Sequence, residues 1–461
     1  MVLPSTKKKF RKHLYNSERD GNLIDRLSGL PEDLLVRILC LLSLKEALRT
    51  CVLSRKWRDL CQFFSGSLNF DASKKLLKER DGYVESINRF FNSHKAATIY
   101  ELRVCFDLTQ QHWRSIDRWI EIAVMKKCER LELDFEPCRL NQRRDRENYR
   151  LGHKFSSSSE TRLLTSLCLK HVDVSGWILE SFLSNCPLLE TLHVSHSEEL
   201  TDISVCGSSL RLKYLHVSFC NCINSIEVYA PNLVSFEYRG EENIPVHIDL
   251  RYVPKLCDVS YAGQGDLPWG PNWPSSIPSC LATSQLVNLT LSIPHVGVFL
   301  SDIQPKFSNL GCLTLEFPKF RLPIECPAEL INYGELITHM PLLHKFKVEL
   351  EAVEADILTE AEEFQDMIKV GYQQSIEMRL VGLKELREVE IVGFVGAASD
   401  TSFVYFLSRV APNLESIVIN RCLPRWYPVD ERKIMELDEA RMFAYELLSA
   451  YRPKGILLGG S

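Results

Sequence analysis

The sequence predicts an α/β chain in which three short helices precede an irregular solenoid: a curved parallel sheet with helices or loops on its convex side. Three observations carry this. A phrase of one apolar residue, two others, a second apolar residue, one other and a third apolar residue returns twelve times after residue 98. Several copies share a Pro-x-Leu prefix, as in Cys186-Pro187-Leu188-Leu189 and Ala411-Pro412-Asn413-Leu414. Between residues 30 and 60 the apolar spacing is instead three and four, the period of an amphipathic helix.

Residues 1–23 are polar, with Lys7, Lys8, Lys9, Arg11 and Lys12, and are expected to form a flexible basic tail. The cluster reads either as a nuclear localisation signal or as a solvated segment. Residues 24–66 form the helical module. Pro31, Glu32 and Asp33 suit a helix start, because proline gives up no needed donor there and carboxylates favour the positive end of the dipole. Leu34, Leu35, Ile38, Leu39 and Leu42 then line one face over about three turns. Ser43 ends this helix, residues 45–50 make a second, and Ser54 caps a third that carries Trp57. A module this small buries its apolar residues only with help. Leu30, Pro31, Leu34, Ile38, Leu53 and Trp57 read either as a docking face or as core against a larger domain.

Residues 67–375 hold most of the repeats, and residues 376–461 hold the last of them. The copies run from Ile99, Leu102, Val104 to Leu414, Ile417, Ile419, and the clearest are Leu189, Leu192, Val194 and Leu212, Leu215, Val217. The best copies lie 25, 23, 21 and 23 residues apart, and other intervals stretch to 43. In each copy the last two apolar residues face one side of a short strand, and the residue between them faces the other. One unit cannot cover its own apolar side, so stacked neighbours share one core. Strands about 4.8 Å apart would give a wall on the order of 55 Å long, wide enough to receive a folded protein. Thr191, His193, Tyr214, His216, Ser235 and Glu237, beside the inward residues, are therefore candidate contacts for a protein target. Cys220 and Cys422 follow the last apolar residue by three, a place where such repeats satisfy the turn backbone. Other copies lack that feature, which predicts an irregular array.

Three segments break the pattern. Residues 138–160 are polar and read as a surface loop. Residues 262–284 carry Trp269 and Trp273 among Gly and Pro, either as a binding element or with both rings folded back onto the solenoid. Residues 351–366 read as an acidic, solvated helix.

The net charge of -5 argues against nucleic acid or an anionic membrane as partner. No apolar segment of signal-peptide or membrane-spanning length follows the N-terminal charges. The 16 cysteines read as reduced, mostly buried thiols. No phosphate-binding loop, nucleophile elbow or zinc motif is found. Cys220 and Cys222 are too close for half a zinc site. His193 and His196, three apart on a strand, point to opposite faces. The expectation is a chain with no catalytic residue, metal or cofactor.

Residues 24–39, with Leu30-Pro31-Glu32-Asp33-Leu34-Leu35 at their centre, resemble the opening of an F-box. Residues 47–60, ending Leu53-Ser54-Arg55-Lys56-Trp57-Arg58-Asp59-Leu60, resemble its second half in the form common in plants. Cys61 departs from that form, which commonly carries Trp there. The F-box resemblance implies binding to a Skp-type adaptor, and through it to a cullin and a RING subunit. Leu30 and Pro31 would fit the adaptor's groove, with Leu34, Ile38, Leu53, Ser54 and Trp57 completing the contact. Residues 182–190 resemble the recurring unit of leucine-rich repeats that follow plant F-boxes, and residues 383–394 with 401–419 resemble an FBD-type region. The resemblance implies the substrate-recognition subunit of an SCF-type E3 ubiquitin ligase, acting by proximity in nucleus or cytoplasm. A repeat scaffold outside any ligase and a small-molecule co-receptor are the alternatives.

Overall fold

The computed structural model describes residues 29–72, 79–137, 147–156, 159–240, 246–262, 285–292, 309–317, 340–350, 383–394, 411–420 and 457–460, and single residues 27, 307, 404, 407, 442 and 446. The basic tail, Trp269 and Trp273, the acidic segment 351–366 and Cys422 lie outside them.

Three helices open the chain: α1 (Glu32–Cys40), α2 (Leu44–Thr50) and α3 (Arg55–Leu60). Pro31 sits at the N-cap of α1, one position before the first turn, with Glu32 and Asp33 just inside. Ser43 and Glu46 form a reciprocal capping box on α2. The Ser54 hydroxyl accepts from the Trp57 amide at 3.3 Å and caps α3.

The helices lean on a parallel sheet of fourteen strands. Its members are β1 (Ser67–Asp71), β2 (Glu101–Cys105), β3 (Arg130–Asp134), β5 (Ser166–Lys170), β7 (Thr191–Ser195), β9 (Tyr214–Ser218) and β11 (Ser235–Arg239). They continue through β13 (Asp258–Ala262), β14 (Asn288–Ser292), β15 (Cys312–Phe317), β16 (Lys345–Leu350), β17 (Glu388–Val392), β18 (Ser416–Asn420) and β19 (Leu457–Gly460). The twelve predicted copies are the twelve strands from β2 to β18, and the structure adds β1 and β19 at the two ends. The register is continuous: Leu192 pairs with Leu167 and Leu215, and Val194 with Leu169 and Val217. The corresponding side chains are buried in all twelve copies except Tyr261 of β13, which is half-buried. The predicted α/β solenoid is the architecture observed.

The Pro-x-Leu prefix has a structural cause. Leu189, Leu233, Leu256 and Leu414 each donate to the carbonyl three residues back (Cys186, Ala230, Val253, Ala411), so each prefix is a tight turn into the strand. Pro187, Pro231, Pro254 and Pro412 take the second position of that turn, where a preset φ suits and no donor is needed. Next, two successive amides share one carbonyl of the preceding repeat, as Glu190 and Thr191 do on Thr165.

The exits from the strands are equally regular. His171, His196 and Phe219 leave β5, β7 and β9 with φ of 54°, 54° and 52°. A left-handed non-glycine residue costs about 1–2 kcal/mol. Here each amide donates to the end of the next strand, His196 to Ser218 at 2.9 Å, and the rings stack, His171 on His196 at 4.1 Å. Cys220 lies buried under this turn, as its position predicts. Burial raises its thiol to about 12, although the His196 and Ser197 amides donate toward the sulfur.

A second layer covers the sheet. Near the N-terminus it is helical, with α4 (Arg80–Ser93), α5 (Trp113–Met125) and α6 (Gly176–Asn185). From residue 202 to 252 it differs from the expected helices or loops: β8 (Asp202–Cys206), β10 (Ser225–Tyr229) and β12 (His247–Tyr252) form a three-stranded parallel sheet. Ile203, Val205, Ile226, Val228, Ile248 and Leu250 supply its buried side, a period-two pattern that short repeats cannot fill with helix. Gly176 lets α6 reach β8, since a Cβ there would lie 2.1 Å from the Asp202 carbonyl oxygen.

The expected loop at 138–160 is corrected in its described part. β4 (Tyr149–Arg150) pairs in parallel with β6 (Val172–Asp173). Tyr149 is fully buried, and its hydroxyl donates to Asp117 at 2.6 Å. Tyr149, Leu151 and Phe155 are apolar anchors inside a polar stretch, and their burial outweighs the loop-like composition.

Candidate functional site

Two surfaces stand out, one on the helical module and one on the open face of the sheet. In the module, Leu35, Leu39, Leu44, Ala47, Leu60 and Phe64 close a core continuous with the first repeat. Trp57 belongs to that core at 2% exposure. The expectation that Trp57 completes a docking contact is therefore corrected: its ring faces inward, because a large apolar ring at the helix junction gains most by burial. Leu30 and Ile38 are half-buried, and Lys56 Nζ donates to the Leu30 carbonyl at 3.0 Å, fixing the start of α1. Ser54 is half-buried and serves as a cap, while Pro31, Leu34 and Leu53 are exposed. Spacing alone missed Leu41, Leu48 and Val52. Leu41 is 87% and Val52 84% exposed, beside Leu53 at 62%. Both lie just past helix ends, where a helical wheel has nothing to say.

The module is tied firmly to the repeats. Lys95 donates its amide to the Gln62 carbonyl at 2.7 Å, Tyr100 donates to the Ser65 carbonyl at 3.0 Å, and a His94 ring nitrogen lies 2.7 Å from the Phe64 carbonyl oxygen. Whatever docks on the helices is thus held at a fixed bearing to the sheet.

On the sheet, all six candidate target contacts come together. Thr191, Tyr214 and Ser235 are register partners across β7, β9 and β11, and so are His193, His216 and Glu237. Tyr214 is 49% exposed. The His193 and His216 rings stack with centroids 3.9 Å apart. His216 Nδ1 donates to Glu237 at 2.8 Å, and its Nε2 lies 3.0 Å from Ser218 Oγ. Arg239 donates to Glu237 at 2.8 Å, then reaches to Glu316 through two bonds of 3.1 and 3.2 Å. That second contact crosses the positions of Ala262 and Ser292 on β13 and β14, whose small side chains leave the path open. Sequence reading missed Arg239 and Glu316, since nothing local says which strands a long side chain spans.

Electrostatics fix this patch. Burial works to raise the Glu237 carboxyl, but hydrogen bonds from His216 and Arg239 outweigh it and hold the group down at about 2. For His193, burial comes first, followed by the nearby His216 and Lys170, and the ring is pushed down to about 3. His193 is therefore a neutral stacking surface. Its folded pKa lies below its ordinary 6.5, so stability is complete above that value and falls as the pH drops toward 3. The titratable and charged groups that act on it are His216, Lys170 and Glu237, with His196 more weakly from the turn row. We expect His193→Gln to lose less thermal stability than wild type between pH 7 and pH 5. Equal losses would mean that His193 is not held neutral.

Among the described residues, no cluster of His, Cys, Asp or Glu is arranged to hold a metal, and no helix is long and apolar enough to cross a membrane. His193 and His196 do face different environments, one on the open sheet face and one in the stacked turn row.

A short helical module welded to a long parallel repeat sheet defines the class of F-box proteins with leucine-rich repeats. The comparisons agree: a protein-family model described as "At1g61320/AtMIF1, LRR domain" matches residues 91–442, and one for the F-box domain matches residues 27–65. The chain belongs to this F-box/leucine-rich-repeat family, which is typically non-catalytic. The proteins it is similar to include three from Arabidopsis thaliana. F-box/LRR-repeat protein At2g42730 is 26% identical over 244 residues, 48% of this chain and 53% of that one. F-box/FBD/LRR-repeat protein At5g22660 is 25% identical over 260 residues, 52% and 56% of the two chains. F-box/FBD/LRR-repeat protein At5g53840 is 34% identical over 119 residues, 26% of each. The chain spans about half the length of the first two relatives. The second and third names carry FBD, in keeping with the FBD-like C-terminal region.

Proposed function

We propose that this chain is the substrate-recognition subunit of an SCF-type E3 ubiquitin ligase. The helical module binds a Skp-type adaptor, which brings a cullin and a RING subunit, and the repeat sheet holds a protein target. The chain contributes position rather than bond chemistry, turning an encounter between target lysines and a charged enzyme into a local event. It would work in the nucleus or cytoplasm, where those partners are found.

One observation carries the reading. A module that uses Trp57 to anchor itself still leaves Leu34, Leu41, Leu48, Val52 and Leu53 in solvent. Apolar side chains crowded onto so small a module mark a protein interface. With Trp57 assigned to the core, the proposed adaptor contacts are Leu30, Pro31, Leu34, Ile38, Leu53 and Ser54, joined by Val52 and Leu41. On the sheet, Thr191, His193, Tyr214, His216, Ser235 and Glu237 are proposed to meet the target. An exposed tyrosine beside a hydrogen-bonded row of side chains has the character of an interface hot spot.

The test is reconstitution. The full chain with a Skp-type adaptor, cullin, RING subunit and charged conjugating enzyme should transfer ubiquitin to a protein captured on the repeats, and Tyr214→Ala should reduce that capture. A chain that binds the adaptor but never supports transfer would favour a scaffold outside any ligase. Target capture only with an added small molecule would favour a co-receptor.

A further inference from the structure

Cys51 and Cys61 cap the C-terminal ends of α2 and α3, and their Sγ atoms lie 3.1 Å apart. Two further contacts hold the buried partner in place: Cys61 Sγ donates to the Ala47 carbonyl at 3.2 Å and lies 3.8 Å from Thr50 Oγ1. Cys51 is half-buried and Cys61 is buried, and both are free thiols. A disulfide needs about 2.05 Å between sulfurs. The two atoms must close by roughly 1 Å, a movement within reach of side-chain rotation at two adjoining helix ends.

We propose that Cys51 and Cys61 form an oxidation site, which closes to a disulfide by exchange with a small-molecule disulfide of the oxidised-glutathione class. The half-buried Cys51 reacts first. Its thiolate attacks one sulfur of the reagent, forms a mixed disulfide and releases one small thiolate. Cys61 then attacks the Cys51 sulfur, the mixed bond breaks, and the second small thiolate leaves. The protons of the two protein thiols end on the two released thiolates. One small disulfide is reduced to two small thiols while two protein thiols are oxidised to one disulfide.

The division of roles follows from the surroundings. Burial, with the adjoining Cys51 sulfur adding to it, pushes the Cys61 thiol up to about 11. A thiol so protonated is a poor first nucleophile, since the thiolate is the reactive form. As the second nucleophile it attacks a sulfur already in contact, and proximity offsets its small thiolate fraction. The consequence is local. The bond closes the turn that presents Val52 and Leu53, tying the end of α2 to the end of α3. Intracellular disulfides of this kind are commonly transient and redox-sensing.

The experiment uses the full chain, with oxidised glutathione as reagent and a tryptic map run without reductant. The expected product joins residues 50–55 to residues 59–74 and disappears with dithiothreitol. Exposed Cys206 and Cys222 should carry only glutathione and report that the reagent was active. In Cys61→Ser, Cys51 should stop at the mixed disulfide. Wild-type Cys51 left free or stopped at the mixed disulfide, with Cys206 modified and circular dichroism unchanged, would overturn the proposal. No adaptor is present, so the outcome is separate from that of the ligase reading.

Discussion

Replacing Val52 and Leu53 together by Asp will weaken capture of a Skp-type adaptor on the order of a thousandfold. Interface anchors commonly contribute about 2 kcal/mol or more each, and every 1.4 kcal/mol is a factor of about ten. Both side chains lie in the turn between α2 and α3 and are exposed, so the fold loses no packing when they change. A double mutant with wild-type circular dichroism and wild-type affinity would place the docking surface elsewhere. Trp57 is the wrong probe for this question despite its resemblance to a contact residue. Buried in the junction, its loss would unfold the module and abolish capture for a trivial reason.

Trp119→Ala is expected to cost about 3–5 kcal/mol, the range for removing a large aromatic ring from a packed core. Trp119 is fully buried on α5, and its Nε1 donates to Asn88 Oδ1 on α4 at 2.8 Å. The ring thus joins the two helices that cover the first strands. Trp119→Phe should recover most of the loss but leave the Asn88 acceptor short of its donor, a penalty of about 1–3 kcal/mol. Because each repeat leans mainly on its neighbours, the damage should be regional. Hydrogen exchange should rise in α4, α5 and strands β1 to β3, with β13 to β18 unchanged. Denaturation in urea that moved by less than about 1 kcal/mol would show that the ring is dispensable.

The repeats were legible because their physics is local. A strand of five residues with two inward apolar positions states its face by period two, and a proline-led turn states where it begins. Ile99 to Ile419 could therefore be assigned copy by copy, and the residues between the apolar positions, such as His193 and Glu237, to the other face. The helix caps Ser43 and Ser54 were legible for the same reason, since a cap acts within three residues.

Other features depended on distant parts of the chain. β1 and β19 carry too little pattern to be read alone, and they exist because a neighbouring strand offers them a ladder. The three-stranded second sheet forms where short repeats leave no room for a helix, a choice made by stacking rather than by propensity. Arg239 and Glu316 meet across 77 residues and two intervening strands. Cys51 and Cys61 touch only because α2 and α3 fold back on each other.

The sequence by itself determined the class of fold, the direction of each strand's side chains and the place of the helical module, since these rest on periodicity and short-range turn chemistry. Only the tertiary structure decided that Trp57 is core while Val52 and Leu41 are surface, and that His193, His216, Glu237 and Arg239 form one linked row. Burial and long side-chain bonds belong to the packed whole: they are set by which surfaces meet, and a pattern along one strand carries no record of its neighbours.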